Sequence, residues 1–386
     1  MTTGLDALEQ ELIEIRRDIH RHPEVAFDEF RTSDIVAKQL GDWGIEVHRG
    51  LARTGVVGTL RAGTSNRAIG LRADMDALPI QEANRFDHRS VYDGKMHACG
   101  HDGPTTMLLG AAKVLAESRN FDGVVHFIFQ PAEENEGGGR VMIEEGLFDL
   151  FPVEQVYGMH NMPGIPAGSF AMRTGPIMAA FDSFDIILRG KGTHAAMPHL
   201  GIDPVVIAAE LVTALQTIVS RSVNPLENAV VSVTQFHGGE AYNVIPEEIR
   251  LAGCTRSFLP PIQEQIEQTM GRIVSGIAAA HGATFDFDYR RGYPPTINTE
   301  EEVAAAAAAA IDVAGAGNVD TDTPPLMGSE DFAFMLQERP GSYIFIGNGN
   351  REGTCMVHNP GYDFNDEIII AGVSYWTRLV ERGLPI

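Results

Sequence analysis

Residues 96–102 read MHACGHD and set His97, Cys99, His101 and Asp102 side by side. Each can offer nitrogen, sulfur or oxygen to a metal ion, and Gly100 lets the backbone turn tightly between them. A lone histidine is ordinarily a hydrogen-bonded polar residue. Several potential ligands in one short segment point instead to metal chemistry, and such a site needs more ligands from elsewhere in the chain. Glu133 and Glu134, in QPAEE, are adjacent carboxylates that point in different directions. One can bind a metal while the other holds a water, the division of labour that metal-assisted hydrolysis requires. His160, in YGMHN, and His358, in CMVHNP, complete the candidates. Nitrogen, sulfur and carboxylate together suit zinc, or manganese where carboxylates contribute, with cobalt or nickel as alternatives.

The elements around these residues decide whether they can meet. The apolar run VVHFIFQ predicts a buried strand that leads straight into Glu133 and Glu134. QVYGMH predicts another, ending on His160, and SYIFIGN a third, followed by the loop with His358. VVGTL and AIGLRAD also read as strands, with helices over Thr32–Trp43 and TTMLLGAAKVLAES. Strands alternating with helices predict an α/β sheet covered on both faces. In such sheets, functional groups collect at the carboxyl ends of the strands. From Phe181 to Arg290 the predicted order becomes βαββαβ, the split ferredoxin-like unit, over a domain-sized stretch. The expected architecture is one α/β domain, residues 1–178 and 292–386, interrupted by an α+β insert at 179–291. The alanine-rich stretch at Ala304–Ala310 reads as a helix. EGGGR at Glu136–Arg140 is not followed by the Gly-Lys-Ser/Thr of a phosphate loop.

Composition narrows the function classes. The chain has 386 residues, 44% of them hydrophobic, which is ample for two cores. Its 29 basic and 52 acidic residues give a net charge of −23, without the basic footprint that nucleic-acid binding needs. Leu5, Leu8, Leu12, Ile15 and Ile19 recur at helical spacing among charges, so the N-terminus reads as an amphipathic helix and not as a signal peptide. No run approaches ~18 consecutive apolar residues, so no membrane span is expected. Cys99, Cys254 and Cys355 are too few for a disulfide framework and fit a reducing, cytoplasmic setting.

LRADMDALP, MHACGHDG, QPAEE, MHNMPG, RGKGTHAAMPH, NVIPEE, MGSEDFAFML and VHNPGYDFND occur in that order. Together they resemble the motifs of the hippurate hydrolase and auxin-conjugate amidohydrolase family of metallopeptidases, over essentially the whole chain. The resemblance implies that Cys99, His101, Glu134, His160 and His358 bind a pair of divalent metals, with Glu133 as the catalytic carboxylate. It implies that the insert is a lid and dimerisation module, and that His194 crosses the dimer interface. One departure is visible: Pro104 stands where the family usually has histidine after CGHDG. That position is outside the implied ligand set, so the site is expected to survive.

The remaining polar residues receive plainer expectations. His97 and Asp102 are expected to support the ligands, Asp102 by fixing an imidazole tautomer, against simple structural hydrogen bonding. Asp74 and Asp76 carry the same expectation. His20 and His22 read as helix-end residues, where positive charge is favourable. Cys254 and Cys355 read as buried small residues. Asn243 and Arg256, in the insert, are candidates for holding a substrate carboxylate, since arginine matches a carboxylate fork, with a salt bridge across the insert sheet as the alternative for Arg256. The function expected is hydrolysis of an N-acyl amino acid to a carboxylic acid and a free amino acid. The alternatives are a dipeptidase or aminopeptidase using the same metals, and a metal-holding assembly protein without catalysis.

Overall fold

Near-continuous apolar runs are the signature of strands covered on both faces, and every residue of AIGLRAD and GVVHFIFQ is buried. The computed structural model describes residues 2–134, 136–350 and 355–386. They form two compact units: residues 1–177, 297–324 and 331–386, and residues 178–296 with 325–330. The insert therefore runs on to Thr296, past the expected residue 291, and takes up a short returning segment.

The first unit is built on an eight-stranded sheet. Its strands are β1 (Glu46–Leu51), β2 (Gly55–Ala62), β3 (Ala68–Asp74), β4 (Gly123–Gln130), β5 (Gln155–Pro163), β6 (Phe170–Ala171), β7 (Val319–Asp320) and β8 (Gly341–Gly349). They lie in the order β1-β2-β4-β3-β5-β8-β6-β7. The central four, β4-β3-β5-β8, are parallel, so their carboxyl ends open on one side. Helices α1 (Thr2–Arg21), α2 (Phe30–Asp42), α3 (Asp102–Ser118), α4 (Gly138–Glu144), α5 (Glu300–Ala314) and α6 (Ile369–Gly383) belong to the same unit. Leu12 and Ile19 of α1, Leu108 and Leu115 of α3, and Val373 and Trp376 of α6 are buried. Leu8 and Ile15 pack against this core, as the amphipathic spacing predicts, while Leu5 falls outside the described side chains.

Two local expectations are corrected. His160 does not end its strand, because β5 pairs with β8 as far as Pro163. β1 and the two-residue strands β6 and β7 were not anticipated.

The second unit has strands Ala180–Arg189, Ala229–His237, Glu248–Ser257 and Thr284–Tyr293, with helices Pro204–Leu215 and Pro260–His281. The third strand lies between the second and the first, the fourth lies outside the first, and all neighbours are antiparallel. This is the expected ferredoxin-like βαββαβ arrangement. Burial alternates strictly along Ala180–Arg189, so one face carries the core of Phe184, Ile186, Leu188, Leu211, Leu251 and Ile266. Pro204–Ser222 is, among the described residues, one helical segment long and apolar enough to cross a membrane by length and composition. Its Ile207, Leu211, Leu215 and Ile218 are buried in the core of this unit.

Candidate metal centre

The carboxyl ends of β4, β3, β5 and β8 bring the sequence candidates together. β4 leads into Glu133 and Glu134; β5 carries His160; the loop after β8 carries His358. Cys99 and His101 sit just before α3. The ligating atoms of Cys99, His101 and His160 lie within 4.8 Å of one another, as do those of Cys99, Glu134 and His358. Two triads that share the Cys99 sulfur describe two adjacent positions. His101, Glu133 and Glu134 form a third group on the same scale.

The histidines are oriented by what their other nitrogen meets. His101 Nδ1 is 3.2 Å from Asp76 Oδ1, so its proton belongs there and Nε2 keeps its lone pair for a metal. His160 Nδ1 is 2.6 Å from the carbonyl of Asn161, which fixes the same tautomer, and its Nε2 lies 3.3 Å from Cys99 Sγ. His358 Nε2 lies 3.2 Å from Glu134 Oε1. The His358 side chain is 52% exposed, so this side of the cluster is open to solvent.

These atoms fit a cation. His101 Nε2 is buried without a hydrogen-bond partner, a costly state unless a further group binds it. Sulfur, imidazole and carboxylate are also the donor set that zinc and manganese take. Burial would raise the Glu134 carboxyl, but His358 and His101 outweigh it and hold the group below the usual carboxylate range. Burial, reinforced by the Glu134 charge, pushes the Cys99 thiol well up.

The supporting structure is dense. The Glu134 N–H donates to Asp76 Oδ2 at 3.0 Å, so Asp76 serves two candidate ligands at once. Glu133 is buried, and its Oε1 accepts the Asp331 N–H at 3.4 Å. Asp331 is itself held by Arg72 Nη2 at 2.8 Å, by Gln130 Nε2 at 2.8 Å and by the Gly139 N–H at 2.7 Å. Arg72 also donates to Asp74 at 2.7 Å; burial would raise that carboxyl, but the guanidinium holds it down. Gly100 has φ +84°, and a Cβ there would collide with Tyr362 and Asn161. Asn161 Nδ2 donates to the Cys99 carbonyl at 3.1 Å, locking the ligand loop onto β5. Pro104 is the third residue of α3, where no N–H has an intrahelical acceptor, so the helix accepts it.

Other expectations are corrected. Asp102 does not hold a ligand imidazole: its Oδ2 is 2.8 Å from His20 Nδ1 and 3.5 Å from Arg16 Nη1. Burial would depress the His20 imidazole, but the Asp102 charge and hydrogen bonds raise it to about 9. His20 does lie in the last turn of α1, as expected, but as a fully buried cation. His22 does cap α1, with Nδ1 2.8 Å from the Asp18 carbonyl. His97 supports no ligand by hydrogen bonding, since neither ring nitrogen has such a partner, and burial pushes it down to about 3. Cys254 and Cys355 are free and partly exposed, not buried. Arg72, Gln130, Asn161, Asp331 and Tyr362 were not singled out from the sequence.

In the second unit, His194 is exposed and pairs with Val244 in a two-residue ladder, and the Ala195 N–H donates to the Asn243 carbonyl at 2.9 Å. His194 Nδ1 accepts the Ala196 N–H at 3.0 Å, so in the neutral ring the proton sits on Nε2, which is left as a donor. Arg256 lies over the Phe181 ring at 4.3 Å and donates to Ser329 Oγ at 3.1 Å.

The profile of peptidase family M20/M25/M40 matches residues 70–382. The chain is 41% identical to a hippurate hydrolase of Campylobacter jejuni over 377 residues, covering 98% of this chain and 97% of that one. It is 39% identical to the IAA-amino acid hydrolase ILR1-like 5 of Arabidopsis thaliana over 380 residues, covering 97% and 86%. Among solved structures, a Bacillus subtilis dinuclear metal-binding peptidase of the M20 family superposes with a TM-score of 0.87 at 33% identity, covering 98% of this chain and 99% of that one.

Proposed function

The chain belongs to peptidase family M20/M25/M40, and from that premise we propose that it is a metal-dependent amidohydrolase cleaving N-acyl amino acids to a carboxylic acid and a free amino acid. The observation that carries this reading is the convergence of Cys99, His101, Glu134, His160 and His358 beside Glu133 at the ends of four parallel strands. Relatives named hippurate hydrolase, N-acetyl-L-cysteine deacetylase and IAA-amino acid hydrolase support the N-acyl amino acid class.

In this proposal the five ligands hold two divalent cations, zinc or manganese. Divalent cations held there would supply Lewis-acid chemistry, polarising the scissile carbonyl and lowering the pKa of a water toward neutrality. Glu133 takes the proton of that water on its carboxylate and delivers it to the leaving nitrogen, a contribution on the order of 10²–10⁴-fold. Buried against the Asp331 N–H, the carboxylate is aimed before substrate arrives.

The insert acts as lid and dimerisation module, Asn243 and Arg256 hold the substrate carboxylate, and His194 donates to the oxyanion in the partner's site. Exposed Leu226, Phe236, Tyr242 and Val244, with an unpaired outer edge on Ala229–His237, support an interface on this unit. Three free cysteines support a cytoplasmic setting.

Purified protein with added manganese or zinc, given N-acetyl, N-benzoyl and indole-acyl amino acids beside unblocked dipeptides, tests the reading. Turnover confined to the N-acyl compounds is expected. Preference for free-amino dipeptides reverses the substrate class, and metal binding without turnover of either class removes the enzyme.

A further inference from the structure

Glu29 lies just before α2 and is fully buried, yet it is not a candidate ligand and, among the described residues, has no charged partner of opposite sign at hydrogen-bond distance. Its carboxylate gathers three donors from three separate turns. Oε1 accepts the Phe27 N–H at 3.0 Å and the Ala132 N–H at 2.9 Å; Oε2 accepts the Thr54 hydroxyl at 2.6 Å. Those turns carry most of the strained backbone of the first unit. Six non-glycine residues among the described ones have positive φ, and four lie here: Phe27 at 61°, Ala52 at 46°, Arg53 at 71°, next to Thr54, and Ala132 at 55°. Such conformations persist only where the surroundings over-determine them.

Ala132 is the residue before Glu133 and Glu134. Its N–H goes to Glu29, its carbonyl accepts the Gly138 N–H at 2.9 Å, and the Glu134 N–H is fixed by Asp76. The left-handed turn at Ala132 is therefore what brings the chain off β4 with Glu133 against Asp331 and Glu134 among the ligands. Neither group that holds the Ala132 backbone is a candidate ligand: the Gly138 N–H takes its carbonyl and the Glu29 carboxylate takes its N–H.

We propose that Glu29 is a positioning residue for the Glu133–Glu134 pair, acting by pinning the left-handed conformation of Ala132. This rests on the reading that Glu134 binds metal and Glu133 acts beside it. Charge is not what the role needs. Burial, with the Asp76 charge adding to it, pushes the Glu29 carboxyl up to about 7. A glutamine can keep every contact, since its carbonyl accepts both N–H groups and its amide donates to the Thr54 hydroxyl.

The test is Zn²⁺ affinity by chelator competition, with kcat and thermal stability measured on the same proteins. Glu29→Gln should bind Zn²⁺ close to wild type. Glu29→Ala should bind it about ten-fold or more weakly, the scale on which groups behind a ligand act. Adding Ala132→Gly to Glu29→Ala should recover Zn²⁺ binding, because glycine adopts positive φ without a pin. It should not recover the thermal stability lost with the buried side chain. Where Glu29→Ala does not fold, Glu29→Asp, which withdraws the carboxylate by one methylene, takes its place with the same expectations. Full Zn²⁺ affinity in the folded Ala or Asp variant overturns the proposal, as does a loss that Ala132→Gly leaves unrepaired. A wild-type protein that binds no Zn²⁺ refutes the metal reading and this proposal with it. Wild-type binding matched by the variant refutes the positioning role alone.

Discussion

Arg72 Nη2 lies 2.8 Å from Asp331 Oδ1, across 259 residues of sequence, and neither side chain is exposed to solvent. The pair forms the floor on which Glu133 rests, because the Asp331 N–H points at Glu133 Oε1. A buried ion pair of this kind contributes little net stability, but breaking it is costly, so it holds its neighbours in one arrangement.

Glu133→Gln should therefore keep that geometry, since the amide oxygen still accepts the Asp331 N–H. The variant should retain its metal and lose at least about two orders of magnitude in kcat, the scale of general acid–base catalysis. Metal analysis and turnover on one preparation decide it. Near-normal turnover would remove Glu133 from the mechanism.

Cys99 is buried, with its sulfur 3.3 Å from His160 Nε2. A cation bound there deprotonates the thiol and occupies the sulfur at once. Alkylating agents should label Cys99 slowly in the metal-loaded protein and faster after chelation. The partly exposed Cys254, in the other unit, is the internal control and should label alike in both. Equal labelling of Cys99 with and without metal would sink the idea that it is a ligand.

The candidate ligands that the structure brings together were legible in the sequence because each part is a short local cluster: Cys99 with His101, Glu133 with Glu134, His358 beside its Asn-Pro. What holds those parts was not. The contacts of Ala132 with Glu29, of Tyr362 with Asn161 and of Arg72 with Asp331 span 103, 201 and 259 residues, and no spacing rule announces them. The strand through His160 is expected to end on that residue, but pairing with β8 carries it on to Pro163. His20 shows the converse. Its helix position was right, and only the fold reveals that it faces Asp102 and Glu82. In the insert, all six elements were legible as apolar-rich strands and long helical runs, while the two-residue ladder that carries His194 was too short for any pattern to register.

His126 gives a pH test away from the metal centre. Burial, with Arg61 nearby, pushes its imidazole from the usual 6.5 down to about 4. As pH falls from about 6.5 toward about 4, the unfolded chain takes up a proton that the folded chain refuses, so stability is lost across that window and is fully present above it. Wild type should lose roughly 3 kcal/mol more than His126→Gln between neutral pH and about pH 4. Urea unfolding of both proteins at the two ends measures it. Parallel losses would mean that His126 titrates normally.

His194 carries the strongest claim about assembly. Its Nδ1 is taken by the Ala196 N–H, so Nε2–H of the neutral ring is an outward donor on an exposed side chain, the form an oxyanion requires. His194→Ala should fold, dimerise and bind metal while losing about 10²–10³ in kcat, the usual worth of one oxyanion donor. If the donor serves the partner subunit, two dead variants can repair each other. In a heterodimer of His194→Ala with Glu133→Gln, one site combines the Glu133 of the first chain with the His194 of the second. The other site lacks both. Equal mixing with free subunit exchange leaves half the dimers mixed and half of their sites intact, so activity should return to roughly a quarter of wild type for a two-fold dimer. A tag carried by one variant shows independently that exchange has happened. If mixed dimers are present and activity stays at the level of the parents, His194 does not act across the interface.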